Sequence, residues 1–321
     1  MASPKPFLVR LVSSSVAIAN RAGVVIRDVL KKGELGIVNK SEDDSVKSYD
    51  PQTEADRLAQ KCIIGSLLKQ YPGLKVVGEE EDVDINDVSQ DLLITSQDST
   101  VLQHECPDKY RNIKPEDVVI WVDPLDGTRE FTEGLYNHST VLIGVSCAGR
   151  PVAGIIHEPF YGYGKGAKIS ECATLGRTVW GIPGMGAFGF QCKTPPEGRR
   201  IITTTRSHSN KLVVEAIEAM KPDGILKVGG SGHKVMLVIE GEADGYIFAS
   251  AGCKRWDTCA GEAILEALGG KLTDVFGNQV TYDFEAESYV NKAGVVASLK
   301  DHDLYISLIP ESVKEGLKAK I

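Results

Sequence analysis

The sequence has no excess of basic charge, no cysteine pair in CxxC spacing and no uninterrupted apolar run of bilayer length. Each absence excludes a class of function. A net charge of -8 leaves no basic face for non-specific nucleic-acid binding, so a phosphate-bearing ligand has to be met in a local pocket. The seven cysteines, at 62, 106, 147, 172, 192, 253 and 259, are odd in number and scattered. They give no disulfide framework and read as small buried thiols of a reducing compartment. The most apolar stretch, Val16 to Val29, is broken by Arg21 and Arg27, no N-terminal leader is evident, and the C-terminal Lys-Ala-Lys-Ile carries no lipidation cysteine. The expectation is a cytoplasmic protein with no membrane and no nucleic-acid partner. Aromatic residues are few at 7%, yet 42% hydrophobic and 25% charged residues in a chain of 321 describe an ordinary globular protein, large enough for one elaborate core or two packed halves.

What is present is concentrated in Val118-Val119-Ile120-Trp121-Val122-Asp123-Pro124-Leu125-Asp126-Gly127-Thr128. Residues 118 to 122 are β-branched except for one tryptophan, which predicts a strand buried on both faces. Pro124 and Gly127 predict a turn directly after it, so that Asp123 and Asp126 converge on one point. Two carboxylates held that close repel unless a proton or a cation lies between them. A hard divalent cation with oxygen ligands meets that requirement. The plain alternative is a surface turn that contains two aspartates.

Apolar spacing over residues 5 to 32 predicts a long amphipathic helix stopped by Gly33, and Thr53 with Asp56 forms a capping-box pattern that opens a second helix over about 52 to 70. Asp50 stands just ahead of that helix, where an N-cap role competes with a functional one. Leu74 to Val77 reads as a short strand that delivers Glu79 at its end, with Glu80 as the fallback, and the acidic residues 81 to 91 read as a solvated loop. Residues 139 to 146 and 151 to 156 flank Ala148-Gly149-Arg150 as a hairpin, followed by a glycine-rich meander over 162 to 189. Beyond Pro195-Pro196-Glu197-Gly198 the pattern alternates between strands and helices as far as about residue 268, which places a boundary between halves 1–195 and 196–321. Two strand-to-helix steps in the second half, Thr203 to Asn210 and Gly229 to Lys234, offer amides and hydroxyls of the kind that favour anions, although capped helices account for them equally. Asp257 opens a further helix, and there too a cap is the competing role.

Taken together, Asp50 ahead of Thr53-x-x-Asp56, the Gly78-Glu79-Glu80 step, Trp121 to Thr128 and Trp256-Asp257 resemble the family of magnesium-dependent, lithium-sensitive sugar and inositol phosphatases over most of the chain. The resemblance implies an α/β (α+β) fold, a layered α-β-α-β-α sandwich with an antiparallel N-terminal sheet and a mixed C-terminal sheet. It implies that Glu79, Asp123, Asp126 and Asp257, with the backbone carbonyl of Leu125, hold two or three magnesium ions, that Asp50 and Thr128 position and deprotonate the attacking water, and that lithium inhibits. Within the family, the segment 203 to 211 with Gly230 and Lys234 is similar to the members that act on nucleoside bisphosphates. By that likeness Thr205, His208, Gly230 and Lys234 hold a nucleotide, and the expected reaction removes the 3'-phosphate of adenosine 3',5'-bisphosphate to leave AMP. An inositol polyphosphate 1-phosphatase and a non-catalytic ligand sensor on the same fold are the alternatives.

Overall fold

The computed structural model describes residues 4–40, 49–80, 82–164, 175–193 and 198–319. Helix α1, Phe7–Lys32, ends at Gly33, whose left-handed backbone lets its amide donate to the Leu30 carbonyl. By length and composition alone α1 is long and apolar enough to cross a membrane, which corrects the expectation that no stretch reaches that length; 72% of its apolar window is buried inside the fold. A two-rung antiparallel ladder, β1 (Val38–Asn39) with β2 (Pro51–Gln52), leads to α2, Glu54–Gln70. Thr53 is the N-cap of α2 and Asp56 closes the capping box, so Asp50 has no capping duty there.

The first sheet comprises β3 (Lys75–Gly78), β4 (Val118–Asp126), β5 (Thr140–Cys147), β6 (Arg150–Glu158), β7 (Arg177–Ile182) and β8 (Gly186–Phe188), hydrogen-bonded in that order. It is not wholly antiparallel as expected: β3 runs parallel to β4. The long connection between Gly78 and Val118 returns the chain to the same end of the sheet, as a parallel pair requires. The turn expected straight after Val122 is also displaced. Strand β4 continues through Pro124 to Asp126, which still pairs with Thr140, and a register shift between Asp123 and Asp126 marks a bulge where proline's missing amide is tolerated. The chain turns only at Gly127, in the left-handed region at φ 84, to start α3, Thr128–Thr132.

The second sheet holds β9 (Ile201–Thr205), β10 (Gly224–Val228), β11 (Gly245–Phe248), β12 (Lys271–Thr273) and β13 (Val295–Ser298) in the order β10-β9-β11-β13-β12. It is mixed, with β9 parallel to β10 and β11 and β13 antiparallel to its neighbours. Its helices are α4 (Lys211–Ala219), α5 (Ser231–Ile239), α6 (Arg255–Ala267), α7 (His302–Leu308) and α8 (Glu311–Lys318). Helices α1 and α2 cover one face of the first sheet, α5 and α6 lie between the sheets, and α4, α7 and α8 pack on the far side. The result is a layered α-β-α-β-α sandwich. One core lies beneath α1 and α2, where Ile63, Leu67, Ile120 and Ile143 meet; the other fills the space between the sheets with Trp121, Ile156, Val235, Ile264 and Tyr246. The change of sheet falls between Phe188 and Ile201, and the expected boundary at 195 and 196 lies outside the described residues.

A row of glycines joins the two halves. Gly144, Gly154 and Gly181 stand side by side across β5, β6 and β7, and they leave a trough in which α6 of the second half lies. A Cβ on Gly154 would stand 2.1 Å from the Ala260 carbonyl oxygen, and one on Gly144 would stand 2.5 Å from the Cys259 Cβ. This close approach seats the N-terminus of α6 beside the end of β4. Gly154→Ala is therefore expected to lower stability by about 1–3 kcal/mol through overpacking, read as a drop in the urea midpoint. An unchanged midpoint would show that the trough does not seat the helix.

Candidate functional site

A cleft of about 390 Å³ opens where the ends of β3 and β4 meet the carboxyl ends of β9, β10 and β11. Every site residue proposed from the sequence lines it: Asp50, Glu79, Asp123, Leu125, Asp126, Thr128, Thr205, His208, Gly230, Lys234 and Asp257.

Glu79 continues the parallel ladder of β3, its amide donating to the Val122 carbonyl at 3.0 Å, while its carboxylate accepts the Lys40 ammonium at 3.0 Å. Glu80 turns away towards Gln52 and Lys40 and does not line the cleft, so Glu79 is the glutamate of the site. Asp123, buried at the bulge, accepts the Leu125 amide at 3.1 Å. Its carboxyl is pushed well above the usual carboxylate range by burial first, and then by the negative charges of Glu79, Asp126 and Asp257. Burial also raises Asp126, opposed by the Lys234 ammonium and by hydrogen bonds. Those bonds come from the Ser231 amide at 2.8 Å, the Gly232 amide at 2.7 Å and the Thr140 hydroxyl at 2.9 Å. The N-terminal amides of α5, which in the sequence pattern suggest a phosphate cradle, are thus spent on a carboxylate of the protein itself.

Asp257 fills two roles at once. Its Oδ2 accepts the Lys254 amide at 2.7 Å as the capping-box residue of α6, and the residue also faces the cleft. Burial, then Glu79 and Asp126, lift it to about 7.

The relay expected between Thr128 and Asp50 is not the one the fold builds. The Thr128 hydroxyl lies 2.7 Å from Oδ1 of Asp56 and 2.8 Å from the Leu125 carbonyl, and both are acceptors for its proton. Asp50 is exposed on the cleft rim, where its backbone is tied to Asn39 and Lys40 in the short ladder. The buried Asp56 accepts the Thr53 amide at 2.7 Å on its other oxygen, and burial lifts its carboxyl to about 7. Sequence reasoning missed this residue because its capping-box position already explained it. The available signal was that an aspartate on the buried side of α2 needs more than a local partner.

On the opposite wall, the Thr205 hydroxyl accepts the His208 amide at 3.0 Å, and burial holds the His208 imidazole below its ordinary value. The buried Lys234 ammonium donates to the Gly230 carbonyl at 2.5 Å and stands over the Tyr246 ring at 5.3 Å.

Among the described residues, no three carboxylate, thiol or imidazole side chains close into a compact metal cage. Glu79, Asp123, Asp126 and Asp257 instead face one cleft, where the charges of Glu79 and Asp126 raise the proton affinity of Asp123 and Asp257. An all-oxygen, anionic donor set of this kind fits hard divalent cations.

The layered fold and its acidic cleft define a class of α/β sandwich protein with one site at the junction of its two sheets. The inositol monophosphatase family model matches residues 9–314, and the chain belongs to that family. It is 51% identical over 317 residues, covering 99% of both chains, to 3'(2'),5'-bisphosphate nucleotidase 1 of Homo sapiens. It is 40% identical over 307 residues, covering 94% of this chain and 96% of the other, to the protein of the same name from Dictyostelium discoideum. Among solved structures, the extragenic suppressor protein suhB from Bartonella henselae shares the fold with a TM-score of 0.65 at 23% identity, covering 95% of this chain and 98% of the other.

The Asp56 environment has a measurable consequence. Its folded value near 7 lies above the ordinary 3.8, so between these values the fold holds a proton that the unfolded chain has released. In the metal-free protein the residue therefore costs stability as pH rises through that window, and the cost is complete above it. Asp56→Asn is expected to lose less of its urea midpoint than the unsubstituted protein between about pH 4 and pH 7. Parallel pH profiles would contradict the assignment.

Proposed function

We propose that the chain is a magnesium-dependent phosphomonoesterase that removes the 3'-phosphate of adenosine 3',5'-bisphosphate, giving AMP and phosphate, with lithium as an inhibitor. The observation that carries this reading is the union in one cleft of the acidic wall of Glu79, Asp123, Asp126 and Asp257 with the nucleotide-side wall of Thr205, His208 and Lys234. The likeness to the human nucleotidase along nearly the whole chain supports the same substrate.

In this reading the four carboxylates and the Leu125 carbonyl hold the magnesium ions. When bound, these supply charge neutralisation for the phosphate and a lowered pKa for the attacking water. The protein's own part is positional and protonic. A threonine hydroxyl is too weak an acid to serve alone as a base, so Thr128 orients the water and passes its proton towards Asp56. The raised affinity of Asp56 for a proton suits it to receive one near neutral pH. The fixed amides on Asp126 and the Lys254 amide on Asp257 hold those carboxylates in place and limit the reorganisation that binding demands.

Steady-state kinetics in magnesium test the substrate. The kcat/KM for adenosine 3',5'-bisphosphate is expected to exceed that for inositol 1-phosphate and inositol 1,4-bisphosphate, and a preference for an inositol phosphate would reject the nucleotidase reading. Asp123→Asn is expected to lower kcat by about 10²–10³-fold or more while the fold survives. A folded variant with a near-normal rate would point to a non-catalytic role for the acidic wall.

A further inference from the structure

Arg206 stands between Thr205 and His208 of the nucleotide-side wall, yet its own side chain does not line the cleft. It reaches across to α3, the short helix that begins at Thr128. Its guanidinium pairs with the Glu130 carboxylate at 3.3 Å and with that of Glu133, which also accepts Arg129 at 3.2 Å. The Arg206 amide donates to the Val228 carbonyl at 3.1 Å, so its backbone is fixed beside the end of β10.

The two carboxylates are not equivalent. Glu133 is partly exposed, and an ion pair of that kind contributes little. Glu130 is only 3% exposed. Its carboxyl group lies against Gly229, where a Cβ would stand 1.9 Å from Glu130 Cδ and 2.3 Å from Oε2. Both residues line the cleft together with Thr205, His208, Gly230 and Lys234. The Glu130 charge is felt there by the His208 imidazole and by the Lys234 ammonium.

Among the described residues, Arg206 is the one side chain that donates to the Glu130 carboxylate. A buried carboxylate that loses such a partner is left as an uncompensated charge. Here that charge would stand among the groups that receive an anion, and it would repel the ligand.

We propose that Arg206 is a positioning residue of the nucleotide side: by holding Glu130 paired, it lets a wall that contains a buried carboxylate accept an anionic nucleotide. The proposal rests on the nucleotidase reading above and deepens it. The plain alternative is a set of ion pairs that only ties α3 to the end of β9.

Steady-state kinetics with adenosine 3',5'-bisphosphate separate the two roles. In Arg206→Met, KM is expected to rise about 10-fold, the scale of one uncompensated charge near the ligand, while kcat changes by less than about 3-fold. Adding Glu130→Gln to that variant removes the orphaned charge and is expected to recover most of the loss. Arg206→Lys keeps the cation and is expected to stay near the normal KM. An unchanged KM in folded Arg206→Met, or a KM that stays raised in the double variant, overturns the proposal and leaves the nucleotidase reading intact. An unsubstituted enzyme that does not cleave the bisphosphate overturns both. Melting temperatures show which variants are folded at the assay temperature. Should Arg206→Met alone fail that check, the folded double variant decides, a near-normal KM supporting the proposal and a raised one overturning it.

Discussion

The structure depends on a repulsion that it does not relieve by itself. Glu79, Asp123, Asp126 and Asp257 come from the end of β3, from the bulged end of β4 and from the first turn of α6, and all four turn into one cleft. Burial and mutual charge raise Asp123 and Asp257 well above the ordinary carboxylate range. A protein that gathers buried carboxylates in this way gives up stability at neutral pH unless cations occupy the space between them. The rest of the fold can be understood as the frame that keeps these groups together against that cost.

Two devices make the frame. The glycine row Gly144, Gly154 and Gly181 lets the backbone of α6 rest on the first sheet, so Asp257 arrives beside β4 although it belongs to the second half of the chain. Asp126 makes the reciprocal link, since its carboxylate collects the first amides of α5. One acidic residue of each half is thus anchored against the other half. The two sheets are packed together through these contacts, and the cleft lies at their junction. Thr205, His208 and Lys234 enter the same space because β9, β10 and β11 end there.

Much of this was legible in the sequence where the signal was local. The run from Val118 to Thr128 carries its strand, its proline and its acids within one short stretch, and the strand-to-helix steps around Thr205 and Gly230 are similarly compact. Three things were hidden because tertiary context decides them. Asp56 looked like a helix cap, and it is one, but its second oxygen faces Thr128 from another element. The glycines at 144 and 154 disappeared into otherwise ordinary strands, since only the partner helix reveals why a side chain is missing. Pro124 and Gly127 suggested a turn that β4 delays by a bulge, because Asp126 still pairs with Thr140. Residues 271 to 318 yielded no elements from the sequence, yet they form β12, β13, α7 and α8; their apolar positions acquire a pattern only against the second core.

The most direct measurement is calorimetric titration of the metal-free protein with magnesium near pH 6.5, repeated in two buffers of different ionisation enthalpy. Cation binding to carboxylates that hold protons at this pH must displace those protons. The account predicts saturable binding with net proton release into the buffer, together with a rise in melting temperature that grows with magnesium concentration. Heat signals independent of the buffer, or the absence of both binding and thermal stabilisation, would contradict it.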